Sequence, residues 1–282
     1  MTKVLIRMLT KALGDTLGAV PYFEQKRIST GDDIYVSCQF HDLLQPVYPH
    51  LHFLPFGFRN SPIFSQCFDL DFEFDKHLQQ GFCNQLGLDF SEIRPKIHIE
   101  SSSRPFADRY VCFGMQSTSQ NKYWNNPGGW EEICKRLRKE NILPVCIDRD
   151  SSFGIEGNFN QIPPSAENKT GMSLPEVIKF LNHAEFFIGL SSGLSWLAHA
   201  VGKHVVMISG TTHSWCEFTQ DVTRIQNQSV CHGCFNEPER TPFNAGDWMW
   251  CPHNKSTSRQ FECSKSITPD LVWNKIRPLL CK

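Results

Sequence analysis

The chain has 282 residues, 40% of them hydrophobic and 20% charged, which is typical of a globular protein and excludes a disordered one. Its formal net charge of -1, with no basic block, argues against a nucleic-acid partner. No apolar run reaches the roughly 20 residues of a membrane span, and the N-terminus lacks the apolar centre of a signal peptide, so we expect a cytoplasmic protein.

Strands and helices alternate in the first part of the chain. Apolar runs at residues 3–8, 33–38 and 51–56 predict three strands. Residues 11–15 predict a turn, which leads into a helix over residues 16–27. Such alternation is typical of parallel βαβ units.

A less regular stretch separates this part from a second alternating series. Residues 60–99 predict one helix, at 75–86, and residues 100–105 form a Ser-rich candidate linker. The second series predicts strands at 110–115, 142–148, 185–190 and 204–209, and helices at 129–140, 173–184, 193–201 and 268–280. We therefore expect an α/β fold of two Rossmann-like domains, residues 1–104 and 105–282, around a cleft.

The turn after the first strand carries Gly14 and Asp15. Ligands of parallel sheets bind at the carboxyl ends of the strands, so Asp15 is a candidate catalytic carboxylate. Asp is also a favoured N-cap, and helix capping alone would explain its position.

The loop after the first strand of the second series is dense in amides and hydroxyls. It reads QSTSQNKYWN over residues 116–125, with Lys122 as its one cation. Such a loop can wrap a diphosphate, and Lys122 would offset the charge of a leaving group. The alternative is a solvated polar loop that is anchored by Tyr123 and Trp124.

A glycine–serine turn, GLSSGLSW at residues 189–196, joins a predicted strand to a predicted helix. Gly193 allows close approach of the backbone, and the first amides of a helix present hydrogen-bond donors to an anion. A simple serine-rich helix cap would give the same pattern.

Twelve cysteines divide into eight scattered ones and one cluster. The scattered ones lie beside apolar residues and are interpreted as small buried side chains. Cys231, Cys234, Cys251 and Cys263 have the spacing of a tetrahedral thiolate site that closes a long loop. Zinc is the usual metal at such spacing, iron also suits four thiolates, and disulfides are the alternative.

Several ordered motifs resemble the bacterial autotransporter heptosyltransferases, which transfer heptose from ADP-heptose to serine hydroxyls of autotransporter adhesins. They are KALGDT at 11–16, GLDFSEIRP at 87–95, QSTSQNKYWNNP at 116–127, FIGLSSGLSWLA at 187–198, ISGTTH at 208–213, and the cysteine segment 231–263. The resemblance is densest over residues 105–282.

The resemblance implies a glycosyltransferase B fold, with Asp15 as general base and Lys122 at the donor diphosphate. It implies iron at the four cysteines, an autotransporter adhesin as the protein acceptor, and a high-order homo-oligomer. In the more distant lipopolysaccharide heptosyltransferases an Asp-Thr-Gly turn grips the diphosphate, whereas this chain has Ser191, Ser192 and Gly193 there. Better-known relatives carry a segment before the first strand, so we expect this chain to differ in acceptor recognition rather than at its donor site.

The expected reaction is a single displacement with inversion at the anomeric carbon. Asp148, at a strand end, is a candidate contact for the ribose, and Gly210 and Thr211 for the diphosphate or adenosine. The alternatives are a transferase that uses another sugar nucleotide or acceptor, and a non-catalytic, metal-stapled binding scaffold. The predicted donor-binding residues are Gly14, Thr16, Gln116, Ser117, Thr118, Asp148, Ser191, Ser192, Gly193, Leu194, Ser195, Gly210 and Thr211.

Overall fold

The structure, a computed structural model, describes residues 2–155, 160–239 and 241–281. Its N-terminal half contains a four-stranded sheet in the order β3-β2-β1-β4, in which every pair of neighbours is parallel. The strands are β1 (Lys3–Met8), β2 (Asp33–Cys38), β3 (His52–Pro55) and β4 (Gln66–Leu70), and the helices are α1 (Leu13–Thr30), α2 (His41–Leu44) and α3 (Leu78–Gln85).

The C-terminal half contains a six-stranded parallel sheet in the order β12-β11-β10-β5-β6-β9. Its strands are β5 (Tyr110–Phe113), β6 (Leu143–Cys146), β9 (Glu167–Asn168), β10 (Phe187–Leu190), β11 (Val205–Ile208) and β12 (Val222–Ile225), and β7 (Ser152–Phe153) and β8 (Asn160–Gln161) form a separate antiparallel pair. The helices are α4 (Gly129–Lys139), α5 (Leu174–His183), α6 (Gly193–Ala200), α7 (Glu262–Lys265) and α8 (Pro269–Ile276), with 3-10 turns at Gln120–Lys122, Cys234–Asn236 and Arg277–Leu279. The predicted α/β fold with parallel sheets is confirmed.

The apolar strands are central, as their composition predicts. Val4, Leu5 and Ile6 of β1 are fully buried, because β1 lies between two strands and both of its faces are covered. The predicted capping box of α5 is present, where the backbone N–H of Ser173 donates to Glu176 at 2.9 Å. Local signals therefore place these elements correctly.

Among the elements that differ from the sequence-based prediction are α1 and β4. The helix α1 begins at Leu13 instead of residue 16 and has Ala12 as its N-cap, so Asp15 lies inside the first turn and is not the cap. The strand β4 lies in the stretch that predicts no strand. Its residues pair with β1, for example Cys67 with Leu5, and this pairing supplies the stability that the short polar segment lacks by itself.

The segment between the two sheets contacts the C-terminal half directly. The backbone N–H of Leu78 donates to the carbonyl of Cys216 at 2.8 Å, and the N–H of Thr219 donates to Glu92 Oε1 at 2.9 Å. One buried apolar cluster includes residues of both halves. All strands of the first sheet precede residue 104 and those of the second follow it, while the domain boundary near 104 stays a prediction.

Within the three described ranges, none of the helices is both long enough and apolar enough to cross a lipid bilayer.

Candidate active site

The first turns of two helices meet between the sheets. Each helix follows a buried parallel strand, α1 after β1 and α6 after β10. A Cβ atom on Gly14 would lie 3.4 Å from the Cα of Gly193, and one on Gly193 would lie 3.1 Å from the backbone nitrogen of Gly14. Both glycines therefore allow a close approach of two backbones, and the predicted sites at the two sheet edges come together.

Asp15 lies in this first turn of α1 and is partly buried. Burial raises the pKa of its carboxyl group, and the charge of Asp71 acts in the same direction. A hydrogen bond with Thr10 and the charge of Lys122 oppose this rise in the pKa. Because its carboxylate is poorly solvated, Asp15 is a stronger proton acceptor than an ordinary surface aspartate.

Lys122 belongs to the C-terminal half and ends a single 3-10 turn. Its Nζ lies 4.1 Å from the centroid of the Phe235 ring. Burial lowers the pKa of Lys122, while the charges of Glu217, Cys216 and Asp15 oppose that change. The charges of Asp15 and Lys122 thus affect each other's pKa values. In the described part of the chain these two side chains do not form an ion pair within 4 Å.

Glu217 is a charged residue of this site that the sequence-based prediction missed. Its carboxylate is buried, accepts a hydrogen bond from the Ser191 hydroxyl, and pairs with Arg224 at 2.8 Å. Glu217 lies in a loop with no recognisable motif. The fold brings this loop close to Lys122, where the charge of Glu217 favours the protonated form of the lysine.

The hydroxyl groups of three predicted donor-binding residues are engaged inside the protein. The Ser191 hydroxyl donates to the carboxylate of Glu217, which counts against a direct hydrogen bond from Ser191 to a ligand. The Ser195 hydroxyl is fully buried and donates to the carbonyl of Leu190 at 2.5 Å. The Thr16 hydroxyl is also buried and donates to the carbonyl of Ala12 at 3.1 Å. These contacts count against direct hydrogen bonds from Ser195 and Thr16 to a ligand.

Three neighbours in the turn before α6 remain partly accessible. Ser192 is the N-cap of α6, and Gly193 and Leu194 begin the helix. The start of a helix can present its first backbone amides to an anion, and the role of Ser192, Gly193 and Leu194 at a donor diphosphate stays a prediction.

Asp148 is buried and supports the loop that follows β5. Its carboxylate accepts hydrogen bonds from the backbone N–H groups of Met115 at 2.6 Å and Gln116 at 3.3 Å. Burial raises its pKa to about 6. This position inside the protein, 1% exposed, counts against the predicted contact with a ribose.

The rest of this loop is more open. The side-chain amide of Gln116 donates to the carbonyl of Asp150 at 2.6 Å, which fixes its direction. Ser117 is partly exposed and Thr118 is exposed. Ser117 and Thr118 are therefore available to a ligand in the described structure, as the predicted role in donor binding requires.

Gly210 and Thr211 face the cysteine-bearing segment. A Cβ atom on Gly210 would lie 3.0 Å from the Sγ of Cys263. The carbonyl groups of Gly210 and Thr211 accept hydrogen bonds from the N–H groups of Gly233 and Phe235, each at 3.0 Å. These contacts brace the cysteine segment and count against the predicted approach of Gly210 and Thr211 to the donor.

The four clustered cysteines line one small cavity, together with His232 and His253. All four are free thiols. Burial raises the pKa of Cys263 to about 12, and the nearby thiols of Cys251 and Cys231 add to the rise. In the described ranges no three His, Cys, Asp or Glu side chains are arranged closely enough to hold a metal ion, so the metal site stays a prediction.

Comparison with known proteins identifies the family. The profile of glycosyltransferase family 9 (heptosyltransferase) matches residues 64–243. The chain is 39% identical to the autotransporter heptosyltransferase TibC of Escherichia coli O78:H11, over 94% of this chain and 68% of the relative. The chain belongs to glycosyltransferase family 9. The family match includes Lys122 and the turn before α6, while Asp15 lies outside the matched residues.

Two further relatives show the range of activity within this branch of the family. The heptosyltransferase BAHTCr of Citrobacter rodentium is 37% identical over 94% of this chain and 68% of the relative. BimC of Burkholderia thailandensis, described as an inactive autotransporter heptosyltransferase, is 30% identical over 98% of this chain and 68% of the relative.

Solved structures of TibC agree with the fold. A crystal structure of TibC, described as an iron-containing dodecameric glycosyltransferase from enterotoxigenic E. coli, superposes with a TM-score of 0.92 at 35% identity, over 98% of this chain and 75% of that chain. A second TibC structure, in complex with ADP-D-β-D-heptose, gives a TM-score of 0.92 at 34% identity, over 98% of this chain and 76% of that chain. The family member described here therefore has the α/β architecture of glycosyltransferase B proteins.

Proposed function

We propose that this chain transfers heptose from ADP-heptose to serine hydroxyls of an autotransporter-type protein. The observation that supports it most is that Asp15 of the N-terminal half and Lys122 of the C-terminal half lie close enough for each charge to affect the pKa of the other group. Each charge opposes the shift that burial causes in the pKa of the other group. The relatives TibC and BAHTCr, both heptosyltransferases, support the choice of sugar.

In the proposed reaction the serine oxygen attacks the anomeric carbon as the bond from that carbon to the diphosphate oxygen breaks. Asp15 takes the proton of the attacking hydroxyl. Burial raises the pKa of Asp15 above its usual range, which makes its carboxylate a stronger base towards a weakly acidic hydroxyl. Attack from the face opposite the leaving group inverts the configuration at that carbon.

Lys122 and the start of α6 act on the leaving group. The ADP that departs carries negative charge on its diphosphate, and the ammonium of Lys122 offsets that charge. Burial lowers the pKa of Lys122 in the protein alone, and an incoming diphosphate favours its charged form. The backbone amides near Ser192 and Gly193 add donors that need no reorganisation.

A structural metal ion belongs to this proposal. Cys231, Cys234, Cys251 and Cys263 would hold it, because they line one cavity and are free thiols. Iron is the metal we propose, with zinc as the alternative, since the TibC structure is described as iron-containing. Four thiolates leave no open position, so the ion crosslinks a long loop and takes no part in the chemistry.

We also propose a cytoplasmic location and assembly into a large homo-oligomer. Twelve free thiols suit a reducing compartment. The dodecamer described for TibC is the basis for the assembly.

The experiment that tests the proposal incubates the purified protein with ADP-heptose and a candidate autotransporter passenger. Intact mass should show added heptose residues, and peptide mapping should place them on serine. Binding of ADP should exceed that of UDP and GDP. Donor binding without transfer to several autotransporter passengers would instead support a non-catalytic scaffold, which the inactive relative BimC makes a specific alternative.

A further inference from the structure

The Phe235 side chain occupies a junction that the proposed reaction does not use directly. It lies in the single turn Cys234–Asn236, immediately after one of the four clustered cysteines, and is 7% exposed. Its backbone N–H donates to the carbonyl of Thr211 at 3.0 Å. The backbone that carries the ring is therefore fixed to the loop after β11.

One face of this ring carries the ammonium of Lys122. The Nζ atom lies 4.1 Å from the ring centroid, well inside the range of an attractive cation–π contact. A lysine side chain is long and flexible, and such a contact restricts where its charge lies. Unlike a carboxylate, an aromatic face attracts the ammonium without neutralising it, so the full charge remains available to a diphosphate.

The same ring contacts the N-terminal half. Phe72 and Phe74, which follow β4, lie with their ring centroids 5.6 Å and 5.0 Å from that of Phe235. The next residue, Asn236, donates from Nδ2 to the carbonyl of Phe74 at 2.7 Å and accepts from the N–H of His213 at 2.8 Å. The turn thus joins the cysteine segment, the loop after β11 and the half that carries Asp15.

We propose that Phe235 is a positioning residue that holds the Lys122 ammonium at the donor site and ties that position to the half of the protein that carries Asp15. This inference rests on the proposed function, because it assumes that Lys122 meets the donor diphosphate. It assigns a second role to the cysteine segment, which presents the ring as well as closing a loop.

The test replaces Phe235 with leucine, which keeps apolar bulk and removes the aromatic face. Phe243→Leu is the matched control, because its ring lies 5.1 Å from Phe235 in the same aromatic cluster and none of the cation–π contacts in the described ranges involves it. Phe243 is only partly buried, so Phe235→Leu should lower the melting temperature at least as much as Phe243→Leu, and ADP binding and transfer are compared at a temperature at which both variants are folded. Metal content per chain is measured in both, so that loss of a bound ion is recognised.

Phe235→Leu should lower ADP affinity and transfer by about 10-fold more than Phe243→Leu, the size expected for a desolvated cation–π contact. Phe235→Tyr, which restores the aromatic face, should recover most of this loss. In a Lys122→Met background Phe235→Leu should add little, because the ring acts through the lysine that is already absent.

Each other outcome points to a specific failure. Equal losses in Phe235→Leu and Phe243→Leu, or an undiminished Phe235→Leu effect in the Lys122→Met background, would show that the ring only supports the fold and would overturn the inference. Full ADP binding and transfer by Lys122→Met would overturn the role of Lys122 in the proposed function. No ADP binding by the unaltered protein would overturn the proposed donor itself.

Discussion

The two halves of this protein use polar side chains in opposite ways. In the N-terminal half one carboxylate, Asp15, lies at the helix start with few partners, and burial raises its pKa. In the C-terminal half most polar groups near the cleft are engaged, such as Ser191 with Glu217 and Asp148 with the backbone of Met115. Burial raises the pKa of Asp148 as well, but backbone N–H groups occupy its carboxylate, so Asp15 is the more available of the two.

An abundance of hydroxyl groups near the cleft is therefore a poor guide to ligand contact. A buried hydroxyl must be hydrogen-bonded, and the partner nearest to hand is the protein itself. A group whose charged form is poorly solvated is the better candidate for chemistry, because its environment has shifted its proton affinity. Substitutions in each half can test this difference separately, and the largest effect is expected at Asp15.

The substitution Asp15→Asn tests whether the N-terminal half supplies the base. It removes the proton acceptor and keeps the size of the side chain, so transfer should fall by about 10²–10⁴-fold. ADP binding, which depends on the other half, should change by no more than a few-fold. Transfer rates and ADP titration measure the two effects independently.

Asp71→Asn is the control for this change. Asp71 follows β4 at the same sheet edge, and its charge raises the pKa of Asp15. Its loss should therefore affect transfer only modestly and move the acidic limb of the rate profile to lower pH. Undiminished turnover by Asp15→Asn would show that Asp15 is not the base and that the N-terminal half does not supply the reactive carboxylate.

Cys251→Ser tests whether the C-terminal half depends on a bound metal. Loss of one ligand should release the ion and lower the melting temperature by about 10 °C, as expected for a loss of a few kcal/mol in a domain of this size. Elemental analysis and thermal unfolding measure the two consequences. Cys281→Ser, at an exposed thiol outside the cavity, should change neither quantity. An unchanged melting temperature in Cys251→Ser would contradict a structural metal at this position.

His199 should make the stability of the folded protein sensitive to acid. It lies in α6, stacked on Phe218 with ring centroids 4.0 Å apart, and burial lowers its pKa from 6.5 to about 4. Between pH 6.5 and about 4, His199 is protonated in the unfolded chain and neutral in the folded protein. The contribution of neutral His199 to the free energy of unfolding is therefore complete above pH 6.5. It is lost as the pH falls towards 4, by roughly 3 kcal/mol.

Denaturant unfolding between pH 7.5 and 4 measures this loss. His199→Phe keeps the planar stack and cannot titrate, so its free energy of unfolding should fall less over the same range. The control His98→Gln, at an exposed histidine, should follow the unaltered protein. Parallel curves for His199→Phe and the unaltered protein would show that His199 does not cause acid sensitivity.

Much of the fold is predictable from local patterns. The buried strand β1, the capping box of α5 and the glycine–serine turn before α6 each carry a signal within a few residues. The strand β4 carries no such signal, because pairing with β1 stabilises it. Glu217 carries none either, because its role depends on its proximity to Lys122 in the folded protein.

The alternation of apolar strands and helices and the order of the motifs can be predicted from the sequence, because propensity and hydrophobic period act over short distances. Which polar groups remain without a partner depends on the folded structure. Whether a hydroxyl or a carboxylate finds a partner depends on atoms far away in the chain, as with Ser191 and Glu217. The same holds for Asp15, whose pKa is raised by burial in the folded protein.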